Sequence, residues 1–416
     1  MTLSEELQWR GQIKDKTFED VKWLDQPKTF YLGVDCSSDS MTIGNLAVFM
    51  TARRLLDAGW KTVLLVGGAT SLIGDPGGKD SERDLKTREE IQANVAGIKA
   101  QVQRLFADKE FTLVDNYDWF KDVGYLEFLR DIGKHYSMTE LLQRDFIATR
   151  IGESGSGISY AEFSYSLIQG YDYWHLNKKY GVELQLGGSD QWGNMLSGVP
   201  LIRKRENKIV HALSTPLVIN KTTGVKFGKS EDGAVWLDEK RTSPYKLYQF
   251  WLNVDDEGVE EYLKIYTLLS KDEIEKIMVE FENDKAGRLA QKTLAYEVTK
   301  LVHGQAAADS IVRITKVLFG GGDLADISSE DVDQMKSELP TVASKDGDLL
   351  AGVVQQAGLA SSLGEARRFM EQNGVALNGQ KVGPDYVLTQ DDRKVAGSAL
   401  LRRGKNNYAL IDIANN

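Results

Sequence analysis

The chain contains few of the residues that build disulfides and metal clusters. Among its 416 residues there are one cysteine, Cys36, and four histidines. A single cysteine excludes an intramolecular disulfide and any cysteine-based zinc cluster, and it fits a reducing compartment. Four histidines also argue against a histidine-rich metal site. We therefore expect a cytoplasmic protein without a protein-bound metal.

Long apolar runs and an excess of positive charge are absent as well. No run approaches the roughly 18 apolar residues that a membrane-spanning helix needs. The first ten residues, M-T-L-S-E-E-L-Q-W-R, include acidic residues and lack the apolar core of a secretory signal. The formal net charge of −10 argues against a general polyanion binder, although a local basic patch can still bind nucleic acid. From residue 345 onward, nine Lys and Arg face eight Asp and Glu, so the carboxyl-terminal part is less acidic than the rest.

The hydrophobic content of 42% and charged content of 27% are typical of a globular protein. Alternating apolar strands and amphipathic helices predict an α/β fold with a doubly wound, mostly parallel, Rossmann-like sheet. A helical leader is expected over residues 4–24, and a helix from Gly44 to Ala58. Strands are expected at T-F-Y-L-G-V-D, K-T-V-L-L-V-G-G-A-T, F-T-L-V-D, V-E-L-Q-L-G-G-S and P-L-V-I-N, and long helices over residues 125–150 and 160–180.

Composition and periodicity predict four segments. Residues 1–220 form the Rossmann-like domain, and residues 221–320 a loop followed by a mainly helical domain. Residues 321–345 form an acidic linker in which 331–339 can be a short helix, and residues 346–416 a small α/β module. In that module we expect a helix capped at Gly374 and a hairpin that turns at Asn378–Gly379.

Two loops carry the residues expected around a phosphate. The stretch D-C-S-S-D-S-M-T-I-G-N-L, residues 35–46, lies between a strand and a helix, and a helix amino terminus binds phosphate through its unpaired N–H groups. Its polar side chains can equally be helix caps. In K-F-G-K-S, residues 226–230, Lys226 and Lys229 can neutralise a polyphosphate. The alternative for this second loop is a solvated basic surface.

One predicted helix presents three polar side chains on a single face. Tyr165, Gln169 and Asp172 have the spacing i, i+4, i+7, which brings a phenol, an amide and a carboxylate together. Asp172, with Tyr31, can hold a phenolic hydroxyl. Tyr165 and Gln169, with Asp75, can hold an ammonium group. The alternative is a buried structural hydrogen-bond network.

These motifs resemble those of a known family. T-I-G-N and K-F-G-K-S stand where class I aminoacyl-tRNA synthetases have H-I-G-H and K-M-S-K-S. Three further stretches resemble bacterial tyrosyl-tRNA synthetases: L-I-G-D-P-G-G-K-D-S-E-R, Y-A-E-F-S-Y-S-L-I-Q-G-Y-D-Y-W-H-L and L-Q-L-G-G-S-D-Q-W-G-N. The resemblance extends from about Thr2 to Ile413. It implies a tyrosine–tRNA ligase that forms tyrosyl-adenylate from L-tyrosine and ATP and then charges tRNA-Tyr, with Mg²⁺ arriving on ATP and a homodimeric assembly.

The resemblance also implies a role for each matching residue. Tyrosine would be bound by Tyr31, Asp75, Tyr165, Gln169, Asp172 and Gln191. The nucleotide would contact Gly33, Asp35, Ser37, Gly44, Gly188 and Asp190. Catalysis at the phosphates would fall to Thr42, Asn45, Lys79, Arg83, Lys226, Lys229 and Ser230. RNA would contact Arg367, Arg368, Lys381, Arg402, Arg403 and Lys405 in the carboxyl-terminal module.

The chain departs from the family pattern at three positions. Thr42 and Asn45 replace the two histidines, and Cys36 stands where the family generally has proline. Thr42 and Asn45 still carry hydrogen-bond donors, so we expect a slower or rebalanced activation step and a looser loop at Cys36. Two alternatives stay open: a catalytically silent RNA-binding paralogue, and an enzyme that passes an activated amino acid to another acceptor. A tryptophan-specific enzyme is disfavoured, because an indole has no hydroxyl for Asp172.

Overall fold

The structure, a computed structural model, describes residues 1–75, 86–151, 157–225, 227, 229–230, 233–319 and 322–414. For residues 145, 146, 229 and 230 it describes the backbone alone. Two compact units are present. One contains Met1–Ser243 and Gln249–Val298, and the other contains Pro244–Tyr248 and Thr299–Asn416.

A six-stranded sheet organises the first unit. Its strand order is β1-β6-β5-β2-β3-β4, and only the edge pair β1–β6 is antiparallel. From its second residue onward β3 is fully buried, as expected for a parallel strand covered on both faces. The predicted doubly wound, mostly parallel α/β sheet is therefore confirmed. The strands are β1 (Asp15–Lys16), β2 (Thr29–Asp35), β3 (Lys61–Gly67), β4 (Thr112–Asp115), β5 (Leu184–Gly188) and β6 (His211–Thr215).

Helices surround this sheet and continue beyond it. Those before residue 207 are α1 (Leu3–Trp9), α2 (Ile43–Asp57), α3 (Thr70–Ile73), α4 (Arg88–Leu105), α5 (Tyr117–Phe120), α6 (Tyr125–Asp131), α7 (Met138–Leu142), α8 (Asp145–Ile151), α9 (Tyr160–Tyr180), α10 (Trp192–Met195) and α11 (Gly198–Glu206). A two-stranded hairpin follows, formed by β7 (Lys229–Ser230) and β8 (Gly233–Ala234). The next helices are α12 (Pro244–Leu252), α13 (Val259–Tyr266), α14 (Lys271–Asn283), α15 (Leu289–His303), α16 (Gln305–Phe319) and α17 (Ser329–Glu338).

Three expectations for the first unit are wrong in detail. The helical leader stops at Trp9, and its continuation joins the sheet edge as β1. The last strand is H-A-L-S-T rather than P-L-V-I-N, because Pro216 has no N–H to donate to a ladder. Residues 125–150 lie in three short helices rather than one: a 3₁₀ turn at Gly133–His135 separates the first from the second, and residues 143–144 separate the second from the third.

Helix α9 places the polar stripe over the sheet. It starts at a capping box in which the Ser159 hydroxyl accepts from the Glu162 N–H, and it stops at Gly181, which has φ 66°. Its buried side packs on the sheet through Tyr173 and Leu176, in one cluster with Tyr31. Asp172 is therefore held at the interface between helix and sheet.

The second unit contains a five-stranded sheet. Its order is β11-β10-β12-β13-β9, with β9 parallel to β13 and the other pairs antiparallel. The strands are β9 (Thr341–Lys345), β10 (Val375–Leu377), β11 (Gln380–Lys381), β12 (Ser398–Arg403) and β13 (Asn407–Ala414), and the helices α18 (Leu350–Gln356) and α19 (Leu363–Glu371) pack on the same core.

The turn of the carboxyl-terminal hairpin matches its prediction. Asn378 and Gly379 connect β10 to β11, and both have positive φ, 50° and 82°. The cap of the preceding helix differs slightly, because Asn373 rather than Gly374 takes the left-handed conformation, with φ 57°. The segment 321–345, expected as a linker with a short helix, contains α17 and β9. Its role as a linker between domains stays a prediction.

In the described part of the chain, no helix is both long enough and apolar enough to cross a bilayer.

Candidate active site

A cavity of about 250 Å³ opens at the carboxyl ends of the parallel strands. This is where ligands of open α/β sheets collect. Its wall combines strand ends, the start of α2, the polar face of α9 and the segment after β5. Of the residues proposed from the sequence, the cavity is lined by Tyr31, Gly33, Asp35, Thr42, Gly44, Asn45, Asp75, Tyr165, Gln169, Asp172, Gly188, Asp190 and Gln191.

A hydrogen-bonded carboxylate lies on the α9 wall of the cavity. Asp172 is 2% exposed and accepts a hydrogen bond from Asn116 Nδ2 at 3.1 Å and another from Trp119 Nε1 at 2.9 Å. Asn116 is oriented by its other contacts, since its Oδ1 accepts the Ala69 N–H at 2.7 Å. Among the described residues the buried Tyr31 hydroxyl has no hydrogen-bond partner. The cavity wall thus offers an acceptor and an unused hydroxyl.

Burial changes the acidity of both groups. It raises the pKa of the Asp172 carboxyl to about 7, against the opposing effect of the Asn116 and Trp119 hydrogen bonds. Burial, followed by the negative charge of Asp172, also raises the pKa of the Tyr31 phenol well above its ordinary value. Tyr31 therefore stays protonated and can donate a hydrogen bond to a ligand.

Asp75 forms a second polar cluster with two amide side chains. Its carboxylate accepts from Gln191 Nε2 at 2.5 Å and from Asn194 Nδ2 at 3.2 Å. Asn194 Nδ2 also lies 3.2 Å from Gln191 Oε1. Tyr165 and Gln169 line the same cavity. The structure therefore brings together the four residues assigned from the sequence to the amino and carboxylate groups of an amino acid.

The residues that replace the two histidines are bonded to each other. The Thr42 backbone N–H donates to Asn45 Oδ1 at 2.9 Å, and the Thr42 hydroxyl donates to the same oxygen at 3.0 Å. Two donors on Oδ1 fix the orientation of the amide, so its NH₂ group is left for a ligand. Thr42 thus orients Asn45 at the amino terminus of α2.

The loop at Cys36 is anchored by a bond that proline could not form. The Cys36 backbone N–H donates to Ser71 Oγ at 2.8 Å, and the Ser71 hydroxyl in turn donates to the Asp35 carboxylate. Asn94 Nδ2 donates to the Cys36 carbonyl at 2.8 Å. The looser loop that the sequence predicts is thus offset by hydrogen bonds on both sides of the residue.

Some proposed residues fall outside this description. Lys79, Arg83 and Lys226 lie outside the described residues, as do the side chains of Lys229 and Ser230. Ser37 is described, but it is exposed and does not line the cavity.

Sequence reasoning missed three residues of the site. Asn116 and Trp119 follow β4, in N-Y-D-W, and donate hydrogen bonds to Asp172. Gln185 lines the cavity, and its buried Oε1 has no partner among the described residues. Polar residues after a parallel strand were a usable signal for Asn116. The inward direction of Gln185 depends on strand register, which the sequence does not give.

Four of the basic residues assigned to RNA from the sequence lie in two pairs in the second unit. Lys381 and Arg402 both pair with Ala376, so their side chains lie on the same face of the sheet. The guanidinium groups of Arg368 and Arg403 both lie near the Phe369 ring, at 5.6 and 5.0 Å. Arg367 and Lys405 are exposed.

In the ranges that the structure describes, no three His, Cys, Asp or Glu side chains are placed to hold a metal ion.

Two family matches together span most of the chain. Residues 24–320 match the family described as "tRNA synthetases class I (W and Y)". Residues 331–411 match the "Tyrosine--tRNA ligase SYY-like C-terminal domain".

Similar proteins are found among bacterial sequences and solved structures. A tyrosine–tRNA ligase of Streptococcus suis is 41% identical over 99% of this chain and 100% of its own length, and one of Streptococcus pyogenes serotype M12 is 43% identical with the same coverage. The crystal structure of a carboxyl-terminally truncated mitochondrial tyrosyl-tRNA synthetase from Aspergillus nidulans is 33% identical. It covers 76% of this chain and 94% of its own, with a TM-score of 0.69.

The raised pKa of Asp172 predicts a pH dependence of stability. The folded state holds the proton up to about pH 7, whereas an ordinary Asp has a pKa of 3.8. The contribution of Asp172 to the free energy of unfolding is therefore complete below about pH 4, and it is lost as the pH rises through about 7. Relative to Asp172→Asn, the wild-type free energy of unfolding should fall by more than about 1 kcal/mol over that interval, since one pKa unit is worth about 1.4 kcal/mol.

Denaturant unfolding of both proteins at about pH 4 and pH 7.5 measures this difference. Asp122→Asn, at an exposed carboxylate, serves as the matched control and should follow the wild type. Parallel pH profiles for wild type and Asp172→Asn would contradict the prediction.

Proposed function

The chain belongs to the class I tRNA synthetases of the tryptophan and tyrosine type, and we infer that it is a tyrosine–tRNA ligase. The observation that carries the choice of tyrosine is the buried Asp172 carboxylate, which faces the same cavity as the Tyr31 hydroxyl, a group without a hydrogen-bond partner in the described part of the chain. The reaction has two steps: formation of tyrosyl-adenylate from L-tyrosine and ATP, and transfer of the tyrosyl group to the 3′ end of tRNA-Tyr.

We propose that the tyrosine side chain is recognised at its hydroxyl group. The phenol donates its O–H to Asp172 and accepts the O–H of Tyr31. Phenylalanine would leave the Tyr31 hydroxyl without a partner and Asp172 without a third donor beside Asn116 and Trp119. The desolvation penalty of a buried polar group without a partner is roughly 1–3 kcal/mol. Tryptophan has no hydroxyl at this position. The cavity therefore favours tyrosine over phenylalanine and tryptophan, because these two leave hydrogen bonds in the cavity unmade.

The amino acid backbone would be held at the Asp75 cluster. The negative charge of Asp75, with the Tyr165 hydroxyl and the Gln169 amide, favours the ammonium group. Gln191 then turns its amide towards the tyrosine carboxylate and gives up its hydrogen bond to Asp75. This arrangement directs the carboxylate of tyrosine towards the amino terminus of α2.

ATP would bind across the strand ends and the start of α2. We propose that Gly33, Asp35, Ser37, Gly44, Gly188 and Asp190 form the nucleotide site. The glycines allow close approach, and the unpaired N–H groups of the helix favour phosphate. Lys79, Arg83, Lys226, Lys229 and Ser230 are proposed for the phosphates from the sequence alone. Mg²⁺ is proposed to arrive with ATP as part of the substrate.

The activation step needs positioning and charge stabilisation rather than a general base. An oxygen of the tyrosine carboxylate, already ionised, forms a bond to the α-phosphorus, and the bond to the bridging oxygen breaks to release pyrophosphate. In the second step a hydroxyl of the terminal ribose attacks the tyrosyl carbonyl, and AMP leaves. Asn45, oriented by Thr42, is proposed to donate its NH₂ to the nucleotide in place of histidine.

The carboxyl-terminal module is proposed to bind the RNA. Lys381 and Arg402 share one sheet face, and Arg368 and Arg403 flank Phe369, so the module offers two separate cationic contacts for phosphates. Arg367 and Lys405 add exposed positive charge. A cytoplasmic location is proposed as well, from the single cysteine that fits a reducing compartment.

A homodimer is proposed from an apolar surface on the first unit. The segment from α6 to the start of α9 exposes several large apolar side chains, and the Tyr125 and Tyr160 hydroxyls are hydrogen-bonded to each other. Such a concentration is typical of a surface that is covered by a partner. The residues are Tyr125, Leu126, Leu129, Met138, Leu142, Ile151 and Tyr160.

The activity is tested by ATP–pyrophosphate exchange with tyrosine, phenylalanine and tryptophan in parallel. Exchange with tyrosine alone is expected. Asp172→Ala should lower kcat/KM for tyrosine about a hundredfold, because a hydrogen bond to a charged group is worth roughly 1.5–3 kcal/mol, and should change thermal stability far less. Unchanged kcat/KM would remove Asp172 from the site. A folded, tRNA-binding protein without exchange would be the silent paralogue.

The RNA contact is tested with Arg402→Gln. Loss of one phosphate contact should weaken tRNA-Tyr binding and reduce its salt dependence by about one unit of slope, with pyrophosphate exchange unchanged. Lys316→Gln, an exposed charge on α16, is the control and should bind like the wild type. Equal affinities for the two variants would place the RNA elsewhere.

The dimer is tested by placing a charge in the apolar surface. Leu126 is 78% exposed and Ile209, outside that surface, is 77% exposed, so the two sites are matched. Leu126→Glu should produce a monomer in sedimentation equilibrium, because a charge buried at an interface is costly. Ile209→Glu should keep the wild-type mass. A wild-type monomer, or a dimer that survives Leu126→Glu, would contradict this interface.

A further inference from the structure

The two phosphate loops are joined by a short backbone ladder. Residues 41–43, which open T-I-G-N, run antiparallel to residues 235–237, which follow K-F-G-K-S, with Thr42 opposite Trp236. The Ile43 N–H donates to the Val235 carbonyl at 3.1 Å, and the Leu237 N–H donates to the Met41 carbonyl at 2.9 Å. One segment of each loop is therefore hydrogen-bonded to the other.

The ladder leads directly to a proposed catalytic lysine. In the hairpin of β7 and β8, Lys229 pairs with Ala234, and Ala234 is bonded to Val235 of the ladder. A continuous path of backbone contacts thus runs from Ile43, at the first turn of α2, to Lys229. Because both loops are proposed to act on the same triphosphate, their relative register decides whether their donors reach it together.

Side-chain contacts also connect the two loops next to this ladder. Arg241 Nη2 lies 2.5 Å from Asp39 Oδ1, and its guanidinium stands 4.5 Å from the centre of the Trp236 ring. The Ser40 hydroxyl accepts the Asp238 N–H at 3.2 Å. Arg241 therefore contacts Trp236 within the ladder and Asp39 two residues before its other strand, so it links the T-I-G-N side to the K-F-G-K-S side.

The ion pair between Arg241 and Asp39 is expected to affect the relative position of the two loops more than the stability of the fold. The Arg241 and Asp39 side chains are 39% and 52% exposed, and an ion pair exposed to this degree contributes little to the stability of a fold. Its loss would leave the fold intact. It would also leave the negative charge of Asp39 unpaired, three residues before Thr42, in a loop that receives a triphosphate.

We propose that Arg241 is a positioning residue for tyrosine activation: by bridging Asp39 and Trp236 it holds the strand after K-F-G-K-S in register with T-I-G-N, and so sets Lys229 relative to Asn45. This inference rests on the proposed function. It differs from the assigned roles because Arg241 does not line the cavity and acts only through the two loops.

The test compares Arg241→Gln, Asp39→Asn, the double variant and the charge-exchanged pair Asp39→Arg with Arg241→Asp in ATP–pyrophosphate exchange. Arg241→Gln should lower kcat about tenfold with KM for tyrosine within about twofold, since the tyrosine contacts lie elsewhere. The double variant should be no worse than the single ones, and the exchanged pair should recover most of the rate. Lys109→Gln, which breaks another 2.5 Å ion pair away from the cavity, should match the wild type.

A second readout is independent of activity. Amide hydrogen exchange at Ile43 and Leu237 should be faster in Arg241→Gln and normal in Lys109→Gln. Wild-type kcat in Arg241→Gln, additive effects of the two single changes, or unaltered exchange at both amides would each overturn the proposal. A wild-type protein that shows no pyrophosphate exchange would instead overturn the proposed function, and the amide measurement would still decide whether Arg241 holds the ladder.

Discussion

The active-site cavity depends on one buried carboxylate. Asp172 is almost completely removed from water, which is costly for a charge unless hydrogen-bond donors surround it. Asn116 and Trp119 supply two donors, and a tyrosine hydroxyl would supply a third. The same burial that raises the pKa of Asp172 therefore makes its site selective for a ligand that donates a hydrogen bond.

In the loop of residues 35–46, the chain has other residues than the family at three positions, and these residues are themselves hydrogen-bonded. Thr42 and Asn45 bond to each other, and the resulting amide orientation presents an NH₂ group where the family has histidine. Cys36 supplies a backbone N–H that proline lacks, and Ser71 accepts it. At the proposed nucleotide site these departures would change the donors available to ATP, while the loop keeps a defined conformation through local hydrogen bonds.

Several features could be predicted because they depend on short-range rules. Apolar runs gave the parallel strands, and helical spacing put Tyr165, Gln169 and Asp172 on one face. Other predictions were wrong or missing where a residue far away in the chain determines the local structure. H-A-L-S-T forms the strand because β5 pairs with it, while Pro216 cannot join a ladder. Asn116 and Trp119 belong to the site only because β4 ends beside α9, about fifty residues away along the chain.

The sequence by itself determined the class of fold, the family and the chemical type of most cavity residues, since these follow from composition, periodicity and motif. Only the tertiary structure decided which donors surround Asp172, which groups stay unpartnered, and how Arg241 comes to bridge the two phosphate loops. The reason is physical. Hydrogen bonds, burial and pKa depend on distances between side chains that lie far apart in the chain, and packing alone sets those distances.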